Sequence, residues 1–167
     1  KEHNNTAEQL RDSREMLQMY AKQTEQFSLS AASILSIKDE KQLFAKISDA
    51  IVKYSDFSRV LISLFYDTAP YRELIGYAGV SAEIVEKVKK AELKKYWYDK
   101  VFTQGIRLGQ ASFYIPHTMK HILNQEATIY GNGDPASAEE GWHPEDNLFV
   151  RMSDENGEFL GVISVDT

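Results

Sequence analysis

Hydrophobic and polar positions alternate along this chain in blocks that predict several helices and strands. From residue 7 to about 36, two series of positions recur every seven residues, as in a coiled coil. They are Leu10, Leu17, Thr24 and Ala31, and Ser13, Tyr20, Phe27 and Ile34. Polar residues fill the other positions, so this long helix needs a covering surface. We expect a parallel homodimer along the first half, with residues 27–35 packed on the domain. The alternative is an amphipathic helix folded wholly against its own domain.

A second helix is predicted directly after the first. Asp39 followed by Gln42 forms a capping-box pattern, which is typical of a helix start. The apolar residues that follow fall on one helical face, and the helix is expected to end near Tyr54. They are Leu43, Phe44, Ile47, Ala50 and Ile51. A helix with one apolar face at this point covers a sheet.

The next segments alternate between strands and short helices. Residues 58–66 are apolar on both faces and predict a central strand, and a turn leads to a partner strand at 72–78. Gly79 ends that strand, and Ser81 caps a helix. Further on, residues 112–115 predict a short strand stopped by a proline. We expect 117–125 to be helical, 127–130 extended and 131–141 a surface loop.

The segment from Trp142 to Asp166 predicts a hairpin. Residues 148–152 and 158–166 are rich in β-branched and aromatic side chains, and the loop between them ends in Asn156-Gly157. Both strands are apolar on both faces. This pattern indicates a sheet that is covered on each side.

This hairpin resembles the closing hairpin of GAF domains, a family of sensory modules. The resemblance is carried by Trp142 four residues before Asp146, a strand, a short Asp154-to-Gly157 turn and the run 160–166, Leu-Gly-Val-Ile-Ser-Val-Asp. It covers residues 27–167 and implies an α+β fold. The family has a central antiparallel sheet with helices on one face and a lidded ligand pocket on the other, and segments 81–102 and 117–130 would form the lid. We therefore divide the chain into a signalling helix, 1–36, and a GAF-like sensory domain, 37–167. The helix that the family places after its last strand is missing.

Composition narrows the function classes. The chain is 43% hydrophobic and 26% charged, has no apolar run of membrane-spanning length, and begins with polar residues instead of a signal peptide. Its net charge of −6 and the lack of a basic aromatic face argue against nucleic-acid binding. We expect a cytoplasmic domain without membrane contact. The start at Lys1, without Met, indicates an excised fragment whose parent could be membrane-anchored upstream.

The absence of cysteine removes several kinds of chemistry. Disulfides, thiolate metal sites, cysteine nucleophiles and thioether-linked chromophores are excluded. Within the resemblance, a bilin photoreceptor and the free-methionine-sulfoxide reductase are therefore disfavoured. No Gly-x-Ser-x-Gly, Walker or Gly-x-Gly-x-x-Gly motif occurs, and paired carboxylates such as Glu139-Glu140 and Glu145-Asp146 lie in polar loops. We predict a regulatory domain and not an enzyme.

A lysine-rich stretch and a histidine pair are candidates for a functional site. Six lysines surround Tyr96, Trp97 and Tyr98; they are Lys87, Lys89, Lys90, Lys94, Lys95 and Lys100. This stretch is either a solvated helix face or a lid that offers positive charge to an anionic, planar ligand. His117 and His121 are four residues apart and could share a metal or haem, although capping and hydrogen bonding explain them more economically. No metal is predicted.

Aromatic residues near the strand ends define the predicted ligand site. Single aromatics there are more often core than ligand contacts, but short segments over a sheet leave a cavity. The predicted ligand-binding residues are Phe65, Tyr77, Gly79, Tyr96, Trp97, Phe113, Tyr114, Ile115, His117, Thr118, Trp142, Asp146 and Asn147. Aromatic rings would sandwich a purine, Thr118 and Asn147 would read its edge, and backbone amides at 114–117 would meet a phosphate.

The resemblance implies a sensory role, with a cyclic nucleotide as the expected ligand, cAMP ahead of cGMP. No cofactor is required beyond such a ligand. Binding would regulate a fused bacterial output such as a diguanylate cyclase or a histidine kinase. The family's Asn-Lys-Phe-Asp-Glu signature in cyclic-nucleotide phosphodiesterases is missing after Asp166-Thr167. The alternatives are a structural dimerisation module without ligand, and a haem or metal redox sensor that uses His117 or His121.

Overall fold

The computed structural model describes residues 2–131 and 141–167, with side chains from residue 6 onward. The α-helices are α1 (Glu2–Ile34), α2 (Glu40–Tyr54), α3 (Ala82–Lys90) and α4 (Asp99–Gln104). The strands are β1 (Arg59–Phe65), β2 (Arg72–Ala78), β3 (Ile106–Arg107), β4 (Ser112–Ile115), β5 (Asn147–Ser153) and β6 (Phe159–Asp166). Two 3-10 helices span Lys95–Tyr98 and His117–Ile122. None of the helices in the described ranges combines the length and apolar content that a membrane span requires.

One antiparallel sheet forms the centre of the domain. Its strand order is β2-β1-β6-β5-β4-β3. The C-terminal hairpin supplies the two middle strands, as its two apolar faces predict. Its turn closes because the Asp154 carboxylate accepts from the amides of Asn156 and Glu158, and Gly157 adopts a φ of 82°. The predicted α+β fold with a central antiparallel sheet is confirmed.

Helix α2 covers one face of this sheet, and α1 packs on α2. Asp39 caps α2 by accepting from the Gln42 amide at 2.9 Å, as the capping pattern predicts. Val60, Ile62 and Val165 are buried beneath the apolar side of α2. Gly76 of β2 permits a close approach, since a Cβ there would lie 2.9 Å from a backbone carbonyl of α2. Strand β2 and helix α2 are therefore in direct backbone contact.

The long helix α1 contacts the domain through its C-terminal part only. The Phe27 and Tyr54 rings meet edge to face at 6.3 Å between centroids. Its partly buried residues, Gln23, Gln26, Ser30 and Ile34, form a stripe that faces α2. By contrast, Leu10 and Leu17 of the heptad pattern are each 68% exposed. Of residues 27–35, Phe27, Ser30 and Ile34 lie on the side of α2, whereas Leu29 and Leu35 are 61% and 84% exposed. The heptad stripe of the first half is uncovered within the described residues.

The opposite face is covered by segments 81–102 and 117–130, which we call the lid. Its apolar residues Leu93, Val101, Ile122 and Leu123 pack on Phe65, Phe113, Phe149 and Val162 of the sheet. Aromatic rings fill one half of this space. Tyr98 meets Phe65, Phe102 and Phe149 at centroid distances of 5.4, 5.9 and 5.7 Å. The rings leave a cavity beside them, which Trp97, Tyr98 and Phe149 also line.

The structure differs from the sequence predictions between residues 105 and 131. The helix predicted over 117–125 is a 3-10 helix that ends at Ile122, because the Asn124 side chain starts a turn by accepting from the amides of Glu126 and Ala127. Residues 127–130 form no strand. The two-residue strand β3 was not predicted, since so short a run carries no periodicity. Most of the predicted loop at 131–141 lies outside the described residues.

Candidate functional site

A cavity of about 40 Å³ lies between the lid and the sheet. Strands β1, β5 and β6 form its floor with Leu61, Ser63, Asn147, Phe149, Val162 and Ser164. Its walls are Arg72, Val88, Leu93, Trp97, Tyr98 and Val101, and its roof is Leu123, Asn124, Ala127, Thr128 and Ile129. Since a water needs roughly 10–15 Å³ on this scale, the cavity has room for about three waters.

Polar side chains converge on the cavity from neighbouring strands. Side chains alternate between faces along a strand, so Ser63 of β1 and Ser164 of β6 point to the same side as the lid. Asn147 of β5 is 2% exposed, and its amide donates to the carbonyl of Glu145 at 3.2 Å. No Asp or Glu is among the residues that line the cavity. The floor is therefore polar but uncharged.

Arg72 supplies the only charge in the wall of this cavity, among the residues described. The residue is 8% exposed, and its Nη2 donates to the carbonyls of Val88 and Ala91 at the C-terminal end of α3. Burial lowers the pKa of Arg72 below its ordinary value, but a guanidinium does not lose its proton in proteins. The neighbouring Tyr98 is neutral, since burial raises the pKa of its phenol to about 12. Arg72 is therefore a buried cation that links β2 to the lid.

The predicted ligand-binding residues are dispersed. Trp97 and Asn147 line the cavity. Phe65, Phe113 and Ile115 lie in the buried core beside it. Tyr77, Tyr96 and Thr118 are exposed at the surface. Gly79 forms a turn with φ of 70°, where a Cβ would clash with the carbonyl of Ser58, so it has a backbone role. Tyr114, His117, Trp142 and Asp146 gather at a second place, and Trp142 packs against Tyr114 there.

Asp146 organises this second place. One carboxylate oxygen, Oδ2, accepts from the Tyr114 hydroxyl at 2.7 Å and the His143 amide at 2.9 Å. The other, Oδ1, accepts from the His117 amide at 2.7 Å and lies 3.1 Å from His117 Nδ1. Asp146 is 2% exposed, so these bonds are shielded from water. The residue ties the end of β4, the start of the second 3-10 helix and the loop before β5 together.

His117, His143 and Asp146 are also the one group in the described part of the chain whose spacing could hold a metal ion. Their ligand atoms lie within 4.8 Å of one another, and the two imidazoles stack at 3.8 Å between centroids. However, both oxygens of Asp146 already accept two contacts each, and Nδ1 of His143 accepts from the Glu145 amide at 3.1 Å. His121 is exposed and outside this group. The geometry fits a hydrogen-bonded cluster centred on Asp146 better than a metal site. We call this cluster, Tyr114, His117, His143 and Asp146, the clasp.

The hydrogen bonds of the clasp should contribute to the free energy of unfolding. Burial alone would raise the pKa of Asp146, but the hydrogen bonds from Tyr114, His143 and His117 outweigh it and hold the pKa below its ordinary value. Replacing Asp146 with asparagine removes half of the acceptor sites while keeping the shape. We expect the free energy of unfolding to fall by about 2–3 kcal/mol at pH 7, measured by urea denaturation.

The pH dependence supplies the control for this variant. The pKa of the Asp146 carboxyl is lower in the folded state than its ordinary value of 3.8, so the ionised carboxylate stabilises the fold above about pH 3.8. This stabilisation is lost as the pH falls through the lower pKa of the folded state. The stability difference between the wild type and Asp146→Asn should therefore shrink below about pH 3.8. A difference that stays constant down to pH 2.5 would show that the carboxylate charge has no such role.

The antiparallel sheet, the helices α1 and α2 on one side and the lid on the other define an α+β domain with a small internal cavity. The fold is that of GAF domains. The GAF domain of a phosphoenolpyruvate-protein phosphotransferase from Coxiella burnetii superposes with a TM-score of 0.56 at 12% identity, over 87% of this chain and 77% of that chain. The corresponding domain from Acinetobacter gives a TM-score of 0.54 at 14% identity, again over 87% and 77%. No family model and no curated protein matches the sequence.

Proposed function

We propose that this chain is a ligand-sensing regulatory domain without catalytic activity of its own. A small molecule occupies the cavity under the lid, and its presence alters a fused signalling output, such as a diguanylate cyclase or a histidine kinase. The observation that supports this proposal is the cavity itself, which is lined by uncharged polar groups from three strands and by a buried arginine. A space of this kind is the usual setting of a small-molecule site.

The contacts of β2 suggest how occupancy reaches the signalling helix. On the lid side, Arg72 holds the C-terminal carbonyls of α3. On the other side of the same strand, Gly76 lies against α2. Helix α2 in turn contacts α1 through Tyr54 and Phe27. Arg72 is therefore connected to α1 through one strand, β2, and one helix, α2. We propose α1 as the output element.

The volume of the cavity limits the size of the ligand. Pockets for drug-sized molecules span roughly 300–1,000 Å³, whereas this cavity measures about 40 Å³. A cyclic nucleotide would need the lid to move away from the sheet. We therefore propose a ligand smaller than a nucleotide, and cAMP and cGMP, which the sequence analysis favours, enter the test as competitors.

We also propose that the domain works as a homodimer through α1. The uncovered heptad stripe of the first half of α1, with Leu10 and Leu17, is suited to a second copy of the same helix. Dimerisation would place two output domains side by side.

Mass spectrometry of molecules that copurify with the domain tests the sensory proposal without assuming a ligand. A thermal-shift panel follows, with short organic acids, inorganic anions, neutral amides of similar size, cAMP and cGMP. A ligand at about 100 times its dissociation constant should stabilise the domain by roughly 2.7 kcal/mol.

The control is a variant with a filled cavity. Ala127→Leu narrows the space between roof and floor, whereas Ala32→Leu adds the same atoms at an exposed position of α1. Stabilisation should be lost in Ala127→Leu and kept in Ala32→Leu. If no copurifying molecule is found and no compound stabilises the wild type, the chain is a structural dimerisation module.

A further inference from the structure

We propose that the ligand is a compact anion with two or three oxygens, of the size of formate, acetate or nitrate, held by the guanidinium of Arg72. This inference rests on the proposed sensory function and names the ligand class of the same cavity. It is carried by three observations: the burial of Arg72, the absence of a counter-charge around it, and two hydroxyl groups without partners on the cavity floor.

The first observation concerns the hydrogen bonds of Arg72. A guanidinium has five N–H donors. Two of them, both on Nη2, are used by the carbonyls of Val88 and Ala91. The remaining three, on Nε and Nη1, have no partner within the described ranges. The residue as a whole is 8% exposed, but its unpartnered nitrogens are not among the fully buried polar atoms of the described residues, so a water or a small solute can still reach these donors.

The second observation concerns charge. The α3 carbonyls carry only partial negative charge, as a helix C-terminus does. No described carboxylate forms an ion pair with Arg72. The adjacent Glu73 accepts from the Tyr66 hydroxyl at 3.1 Å on the outside of the sheet, and Asp166 is paired with Arg59. Nothing that lines the cavity is acidic. An anion in the cavity would supply the counter-charge.

The third observation concerns the floor. Ser63 and Ser164 lie on adjacent strands and face the cavity. Neither hydroxyl makes a side-chain hydrogen bond within the described part of the chain. Hydroxyl donors and a guanidinium that line the same cavity form a set that suits oxygens of a small anion, since hydrogen bonds to charged acceptors are the strong ones. A volume that admits about three waters restricts that anion to about three or four heavy atoms.

The same contacts give the anion a regulatory effect. Arg72 already holds the end of α3, so an anion bound to its free donors would fix the arginine and with it the lid. The bound state would then be the state with the closed lid. Loss of the anion would return these donors to water, remove the counter-charge and favour opening.

The experiment is a titration of the intact chain with sodium formate, acetate, nitrate and phosphate at constant ionic strength adjusted with chloride. Isothermal calorimetry and thermal shift are both recorded, and acetamide and urea serve as neutral molecules of similar size. Arg72→Gln removes the charge but keeps amide donors for the α3 carbonyls. Lys90→Gln removes one positive charge from the exposed end of the same helix and is the matched control.

We expect one of the small anions to bind saturably to the wild type and to Lys90→Gln. Its dissociation constant should rise about tenfold to a hundredfold in Arg72→Gln. Should Arg72→Gln fail to fold, Ser164→Val tests the same site with the arginine intact, and the dissociation constant should rise about tenfold. The preference among the four anions distinguishes a carboxylate ligand from an inorganic one.

Two results would overturn the inference in different ways. Binding of acetamide or urea with no anion preference, or equal anion binding in all folded variants, would reject the anion while leaving a sensory cavity. An absence of saturable binding by any of the anions or neutral molecules, together with an absence of any copurifying molecule, would reject both the anion and the sensory proposal.

Discussion

Replacing Phe149 with alanine should lower the free energy of unfolding by about 3–5 kcal/mol, the usual range for a buried phenylalanine. Phe149 is 4% exposed, lies on a central strand and meets the Tyr98 ring edge to face at 5.7 Å. The neighbouring strands hold its ring from both sides, so the space cannot collapse easily after truncation. Chemical denaturation at pH 7 measures the change.

The same substitution separates the core role of this ring from its role at the cavity. Phe149 also lines the floor, so the truncated variant should have a larger cavity and accept larger molecules than the wild type. Phe27→Ala, which truncates a ring that is 42% exposed on α1, is the control and should cost less than about 1 kcal/mol. Equal losses in the two variants would mean that the aromatic cluster under the lid is not the stabilising core.

Introducing a charge on the heptad stripe should convert the proposed dimer into a monomer. In a parallel dimer, Leu17→Glu places two carboxylates opposite each other in an apolar seam. The loss of apolar contact and the burial of charge should weaken association by about 100-fold or more, which corresponds to roughly 3 kcal/mol. Sedimentation equilibrium over a range of concentrations measures the dissociation constant.

The matched control uses another exposed leucine of the same helix. Leu29 is 61% exposed, against 68% for Leu17, but it belongs to neither heptad series. Leu29→Glu therefore adds the same charge at equal exposure away from the proposed seam. Dimerisation that is unaffected in Leu17→Glu, or lost equally in both variants, would contradict an interface on the heptad stripe.

The fold was readable from the sequence where local signals were strong. The Asp39 cap, the apolar run at 58–66 and the Asn156-Gly157 turn each specify one element, and the structure places all three as predicted. The signals failed where tertiary contacts decide the conformation. The two-residue strand β3 exists only through its pairing with β4, which leaves no local periodicity. The turn at Asn124 is local, and the Asn124 side chain overrides the helical pattern by accepting from the amides of Glu126 and Ala127.

Less of the candidate site than of the fold could be predicted from the sequence. Aromatic residues suggested a cavity, and Trp97 and Asn147 do line it. The polar set was missed because Ser63, Arg72 and Ser164 come from three strands that only the sheet brings together. One signal was available, since Arg72 lies at the start of a strand whose residues 74–78 are all apolar, and a buried arginine calls for a partner. Which face of β2 it occupies follows only from the pairing with β1.

The length of α1 gives it a mechanical property. About 25 residues separate its contact with Tyr54 from its N-terminal end, a distance of about 38 Å at 1.5 Å per residue. A pivot of only 5° at Phe27 would sweep that end through about 3 Å, on the same geometry. Helix α1 thus acts as a lever. A rotation at Phe27 that is too small to disturb the sheet moves the N-terminal end of the helix by about the spacing of adjacent residues.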